Sequence, residues 1–356
     1  MAYFLSVLAI FKNESCICQE WVEHYLSEGV EHFYLIDNGS TDNYQKILKP
    51  YIQDKIVDLK IDPRPHMQID HYNSYLDQIK KESQWIMVVD FDEFIYSRLN
   101  FKTIADYLKI LPDTISQVYV QWKIFGSNLH INHPESVIDA FTMRTKYDHV
   151  KTNCMYNKDK ILTKTIVRTK NLIKFNIHCS LVDKNTSEIT SDGKPITYTP
   201  PNNNAVFQNI DEEILQQSAL HCNHYPIQSF NWFKKIKMTR GSASSIRNDK
   251  VRTLDYFNSF NSHANQIPDL ELRTKRYNFK VYYGNDFYLD VTRHVIKHFY
   301  AVDNKQLNIS PEIQFNQYFG DPTPGVPKYL IIRQNGQLKV YPEHDHGKIV
   351  LDNLTL

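Results

Sequence analysis

Asp90, Asp92 and Glu93 place three carboxylates at the end of an apolar run, Trp85 to Val89. A continuous apolar run of this kind reads as a strand buried on both faces. Side chains alternate along a strand. Asp90 and Asp92 are therefore expected on one side, with Glu93 on the other for as long as the strand persists. Two carboxylates on one side suit a hard cation. Mg²⁺ and Mn²⁺ take oxygen ligands, and Mg²⁺ binds through one or two carboxylates together with substrate phosphates. The alternative is an acidic strand end that simply meets solvent.

The preceding sequence supplies context for this cluster. Tyr3–Phe11 reads as a first strand, followed by the polar turn Lys12-Asn13-Glu14-Ser15 and a helix carrying Cys18, Trp21, Val22, Tyr25 and Leu26. Gly29 ends that helix. A second strand, His32–Ile36, runs into Asp37-Asn38-Gly39-Ser40-Thr41-Asp42, a turn that caps a helix of Tyr44, Ile47, Leu48 and Tyr51. Ile56–Ile61 reads as a third strand and His71–Ile79 as a helix. Alternation at this spacing predicts a mostly parallel sheet flanked by helices, with right-handed crossovers. Ligands of such sheets bind outside the carboxyl ends of the strands. The turns after strands one, two and four then share one edge. They line a cleft with Lys12, Asn13, Glu14, Asp37, Asn38, Ser40, Asp90 and Asp92.

Later segments are less regular. Ile104–Leu111 and residues 211–220 and 227–240 read as helices, and Val118–Ile124 and residues 137–145 and 161–181 as strands. Residues 183–205, ending in Thr199-Pro200-Pro201-Asn202-Asn203-Asn204, read as a polar excursion. A helical stretch is expected near 284–300, then two strands joined by Asn335-Gly336, a hairpin signal. The basic run Lys234, Lys235, Lys237, Arg240, Arg247, Lys250 and Arg252 reads as a solvated face, a diphosphate contact, with Lys237 and Arg240 as phosphate ligands, or a docking site for anionic lipid.

Composition narrows the class. The 356 residues carry a net charge of +1, so no nucleic-acid partner is implied. Glycine is sparse, and neither a Gly-x-Gly-x-x-Gly nor a P-loop motif is present. The five cysteines include no Cys-x-x-Cys pair, which points to free thiols rather than a zinc site or disulfide framework. The apolar run Ala2–Phe11 is too short to span a bilayer, and the expectation is a cytoplasmic protein with at most peripheral membrane contact.

As an ordered series these motifs resemble a GT-A glycosyltransferase of the family 2-like and family 92-like group, once called domain of unknown function 23. The series runs through Lys12-Asn13-Glu14, Glu20-Trp21, His24-Tyr25, Asp37–Asp42 and Asp90–Phe94. It continues with Trp122 and Phe125-Gly126-Ser127, then Lys164–Arg168, His178, and His224-Tyr225 followed by Ser229. The resemblance implies a GT-A (Rossmann-like) catalytic domain over residues 1–245, leaving 246–356 as an extension with helical and β-hairpin parts. It implies a UDP-sugar donor, a Mn²⁺ or Mg²⁺ cofactor, and inverting transfer, often of galactose, to a glycan or glycolipid acceptor. Lys12-Asn13-Glu14 and Asp37-Asn38 would hold the nucleoside, and Asp90 and Asp92 the metal and diphosphate. A later histidine often completes such a metal site, which points to His178 or His224. Asn38 stands where many family 2 enzymes carry a second Asp. An acceptor hydroxyl needs a carboxylate base, and Glu93, Glu135 and Asp139 are the candidates. A metal-dependent phosphohydrolase or nucleotidyltransferase, and a catalytically silent nucleotide-binding domain, are the competing readings.

Overall fold

The apolar run Tyr3–Phe11 is strand β1 of the computed structural model, and every residue from Leu5 to Phe11 is buried. Residues 2–147, 161–196, 206–207, 212–241, 243, 252–276, 279–286, 288–301, 306–334 and 337–351 are described. The Thr199–Asn204 run, Arg247, Lys250, Cys154 and the Asn335-Gly336 turn lie outside them. Contacts divide the chain into two units, Met1–Leu270 and Glu271–Leu356.

In the first unit β1 leads through helix α1 (Ser15–Ser27) to β2 (His32–Asp37), α2 (Tyr44–Gln53) and β3 (Val57–Ile61). Two short helices, α3 (Gln68–Asn73) and α4 (Leu76–Glu82), deliver the chain to β4 (Ser83–Val88). Then come β5 (Glu93–Ser97), α5 (Ile104–Lys109), β6 (Ile115–Ile124), α6 (Val137–Ala140), β7 (Ile161–Arg168), α7 (Glu212–Gln217) and β8 (Leu220–His224). The sheet runs in the order β3-β2-β1-β4-β7-β6-β8-β5, with Ser187–Thr190 beside β6 and Val206–Phe207 beside β7. The first four strands are all parallel, as the alternation predicts. β7 is antiparallel to both β4 and β6, β8 is parallel to β6, and β5 closes the sheet antiparallel to β8.

Both faces are packed, which is why these strands read as unbroken apolar sequence. On one face Leu8, Tyr34, Ile86 and Val167 meet Tyr72, Tyr75 and Ile79 from the α3–α4 region. On the other, α1 brings Trp21 flat against Phe91, ring centroids 4.2 Å apart, and near Phe33 at 5.8 Å. Gly29 ends α1 with φ +87°, and a Cβ there would sit 2.7 Å from Ala105 Cβ, so the close approach of α5 requires a glycine.

Four expectations change. The stretch 161–181 is a strand only over Ile161–Arg168, followed by a 3₁₀ turn at Thr169–Asn171 and the short strand Leu172–Lys174. Residues 137–145 are not one strand. Ser136 Oγ caps α6 by accepting from the Asp139 amide, 3.1 Å, and only Met143–Arg144 is extended. The polar stretch after 183 contains the strand Ser187–Thr190, paired with β6. The aromatic stretch after 284 begins as a strand, Tyr288–Asp290, and becomes helical only over Thr292–Phe299.

The second unit has its own core, with Phe279, Val281, Tyr283, Leu330 and Ile332 among its buried residues. Its main sheet is antiparallel and includes the expected pairing of Tyr329–Gln334 with Gln337–Pro342.

Candidate active site

Parallel register fixes the first part of the site. Phe11 pairs with Asp37, so the turns that follow β1 and β2 leave the sheet side by side. The Asn13 amide donates to Ser40 Oγ, 2.9 Å, and Asn13 Oδ1 accepts from the Thr41 amide, 2.7 Å. Asn13 holds this position with φ +56°, which Asn tolerates better than most residues. Asp37 accepts from the Ser40 amide, 2.7 Å, and from the Tyr44 hydroxyl, 2.9 Å. The Asn38 amide group donates to the carbonyls of Asp62 and Arg64, 2.9 and 2.8 Å. Much of the hydrogen-bonding capacity of these side chains therefore shapes the turns. Asp42 accepts from the Ser15 amide, 2.7 Å, and so caps α1 from the neighbouring turn.

The carboxylate stretch leaves its strand earlier than the sequence implies. β4 ends at Val88, and Asp90 to Glu93 form a turn closed by the Glu93 amide on the Asp90 carbonyl, 3.1 Å. Strict alternation therefore does not apply to Glu93. Its Oε2 accepts from the Asp90 amide, 2.8 Å, within the same turn. β5 then pairs antiparallel with β8 so that Glu93 stands opposite His224, and directly opposed residues project to one face. The Tyr225 amide donates to the Asp92 carbonyl, 2.8 Å, completing the frame. Asp92, Glu93 and His224 each offer a ligand atom, all within 4.8 Å of one another. α1 braces the turn from behind. Trp21 Nε1 donates to the carbonyls of Asp90 and Glu93, both 3.1 Å, and the Tyr25 hydroxyl to that of Glu93, 3.0 Å.

Two buried lysines supply the counter-charge. Lys164 of β7 is fully enclosed, 2.9 Å from Asp90 Oδ2 and 3.2 Å from Glu93 Oε2. Lys237, on the π-helical turn Phe233–Lys237, is bonded to Asp92 Oδ2. Burial pushes Asp92 up, but Lys237 and His224 outweigh it and hold the carboxyl below its ordinary value. Burial pushes Glu93 well up, against the pull of Lys164 and with that of Asp90 and Asp92. Neighbouring carboxyls are thus driven apart. Burial pulls His224 down to about 4, leaving a neutral imidazole near pH 7, with Nε2 3.7 Å from Asp92 Oδ1. Its ring lies 4.2 Å, centroid to centroid, from that of Trp122.

His178 stands nearby, its ring 5.4 Å from that of Trp122, and burial pulls it down to about 3. Its Nδ1 lies 3.1 Å from the Thr163 carbonyl, which can only accept, so Nδ1 carries the proton and Nε2 keeps its lone pair. Arg240 bonds the Lys12 carbonyl and Glu14, tying the helical turn to the β1 edge. Glu135 is exposed and Asp139 partly buried, on a segment anchored by Glu20 of α1. Ser136 Oγ donates to Glu20, and so does the Val137 amide at 2.7 Å. Neither belongs to the Asp92–Glu93–His224 group. His221, on the other side of β8, is 2.8 Å from the Leu215 carbonyl.

The donor set fits a hard divalent cation. It offers carboxylate oxygens and a neutral imidazole. Glu93 Oε1 and His224 Nδ1 are buried without hydrogen-bond partners, which few buried polar atoms in folded proteins are. Lys164 is the residue that sequence reasoning missed as a site residue. The available signal was a charge inside the β-branched run Thr163-Lys164-Thr165-Ile166-Val167.

An α/β sheet with turns, carboxylates and buried cations gathered at the carboxyl edge of its parallel strands defines a GT-A-like domain. The chain belongs to glycosyltransferase family 92, whose description matches residues 9–256. Among solved structures it is similar to Staphylococcus aureus TarS residues 1–349, at 18% identity and TM-score 0.32, covering 53% of this chain and 61% of that one. The same protein in complex with UDP-GlcNAc gives 17% identity and TM-score 0.35, covering 56% and 60%. A putative glucose-1-phosphate thymidylyltransferase from Bacillus anthracis gives 6% identity and TM-score 0.31, covering 47% and 72%. The chain thus spans about three fifths of the TarS chains in these two matches. No curated protein matches it. Among the described residues no helix is long and apolar enough to cross a membrane.

Proposed function

We propose that the protein transfers a sugar, such as galactose, from a UDP-sugar to a glycan or glycolipid hydroxyl with inversion, using Mn²⁺ or Mg²⁺. The observation that carries this reading is the Asp92–Glu93–His224 group, set at the sheet edge of a chain of this family. Asp90 and His178 border the group and complete the candidate ligand set. When bound, the cation offsets the charge that develops on the departing diphosphate. Lys237 and Arg240 bind the diphosphate oxygens. The nucleoside lies across the Lys12-Asn13-Glu14 and Asp37-Asn38-Gly39-Ser40 turns, whose mutual hydrogen bonds pre-form its seat. Glu93 is enclosed and engaged with the Asp90 amide and Lys164. That leaves Glu135 and Asp139 to take the proton of the acceptor hydroxyl.

The test is thermal stability across nucleotides and nucleotide sugars, with Mn²⁺ and with chelator, since ligands of the native state raise the midpoint by mass action. A shift specific to one UDP-sugar and dependent on Mn²⁺, followed by an inverted anomeric signal in the product, supports the proposal. A shift with nucleotides but no sugar preference favours the nucleotidyltransferase or phosphohydrolase, and no shift at all the silent domain. Asp92→Asn, whose amide oxygen still accepts from Lys237, is expected to stay folded at reduced stability and to lose transfer by about 100-fold or more, the scale of one removed transition-state contact. Undiminished transfer in that variant removes Asp92 from the site.

A further inference from the structure

Lys237 stands where a cation would approach Asp92. Its ammonium is bonded to Asp92 Oδ2, the side chain is 5% exposed, and Nζ lies 5.4 Å from the Trp232 ring centroid. Asp90, Asp92 and Glu93 together face two ammonium groups, Lys164 and Lys237. The two lysines are held differently. Lys164 sits on an interior strand with two carboxylate partners. Lys237 has a single carboxylate partner, Asp92, and ends a short π-helical turn, a form frequent at functional sites. Its four-carbon stem makes it a flexible point charge.

A divalent cation on Asp92 would lie against the Lys237 ammonium, and like charges this close repel. An arriving cation therefore weakens the hold of Lys237 on Asp92. Leaving for an apolar pocket would strand a buried charge. Leaving for a diphosphate oxygen replaces one charge-assisted hydrogen bond with another. We propose that Lys237 is a tethered placeholder. It neutralises Asp92 in the empty protein and moves to the donor diphosphate when a cation takes its position, so that cation and donor each strengthen the other's binding. This rests on the donor and cation reading above, and it gives Lys237 two successive partners, Asp92 in the empty protein and the diphosphate in the loaded one.

The experiment is Mn²⁺ binding followed by the free-ion paramagnetic resonance signal, with and without UDP, in wild type, Lys237→Gln and Lys237→Arg. Wild type is expected to bind Mn²⁺ weakly alone and more tightly with UDP. Lys237→Gln is expected to bind Mn²⁺ about tenfold more tightly without UDP, within the usual range of coupling between sites, and to bind UDP more weakly at saturating Mn²⁺. Lys237→Arg, which keeps the charge, is expected to follow wild type. Unchanged Mn²⁺ affinity in Lys237→Gln, with wild type still binding Mn²⁺ and UDP together, overturns the placeholder and leaves the donor and cation reading standing. UDP binding without Mn²⁺ binding in any variant overturns both. Should Lys237→Gln not fold, wild type alone decides: UDP affinity that Mn²⁺ leaves unchanged, with both ligands bound, overturns the placeholder.

Discussion

At the residue scale, the site is a set of buried charges that are tolerable only together. Lys164 shows this most directly, because its ammonium is enclosed between Asp90 and Glu93. Removing one partner of a buried ion pair leaves the other charge uncompensated, at a cost of about 3–5 kcal/mol. Lys164→Met is therefore expected to lower unfolding stability by about 3 kcal/mol, read as a fall in the urea midpoint. Lys164→Met with Glu93→Gln should recover part of that loss, since the second change removes a buried ionisable group that has lost its lysine. Equal losses in the single and double variants would show that Glu93 gains nothing from the lysine. This group was only half legible in the sequence. Asp90 and Asp92 announce themselves as carboxylates closing an apolar run. The place of Glu93 depends on a turn that ends β4 at Val88 and on pairing with His224, far along the chain. Local alternation cannot report a contact made by a distant strand.

At the element scale, residues 3–82 were legible because each of the first three strands is followed by a polar turn and its own helical segment, so local periodicity and topology agree. The later strands were harder to read, since β7, β8 and β5 are placed by non-local antiparallel pairing. The segment 137–145 failed for a similar reason. Its helix is held by Glu20 on α1, and its short strand by a buried ion cluster. In that cluster Asp269 Oδ2 lies 2.7 Å from Lys123 Nζ on β6 and 2.6 Å from Arg144 Nε. Burial pushes Asp269 up, but Lys123 and Arg144 outweigh it and hold its carboxyl below the ordinary value. The folded state therefore resists protonation there. The contribution is complete above the ordinary Asp value, about 3.9, and is lost as pH falls through the lower folded value. Asp269→Asn is expected to cost about 3 kcal/mol at neutral pH by removing the carboxylate that Lys123 and Arg144 share. It should also flatten the loss of stability below about pH 4 relative to wild type. Urea titrations at several pH values check both, and parallel acid limbs for the two proteins would remove Asp269 from the acid response.

At the scale of the whole molecule, the chain holds two cores. The sheet that carries the candidate site lies within Met1–Leu270, and the family description ends at residue 256. Glu271–Leu356 encloses its own buried set, from Phe279 to Leu351, around antiparallel strands that pair among themselves. A unit with its own core can in principle fold alone. Every side chain placed here in the donor and cation site, from Lys12 to Arg240, belongs to the first unit. So does the Asp269 cluster, which lies just before the boundary. A chain ended after Leu270 is therefore expected to unfold in one cooperative transition and to keep the UDP- and Mn²⁺-dependent midpoint shift of the full chain. A chain ended after residue 245 lacks Asp269. It leaves Lys123 and Arg144 without that carboxylate, and its midpoint should fall below that of the longer fragment. Equal midpoints for the two fragments would show that residues 246–270 add nothing to the first unit. A fragment ending at Leu270 that folds yet shows no shift would place part of donor binding beyond that residue.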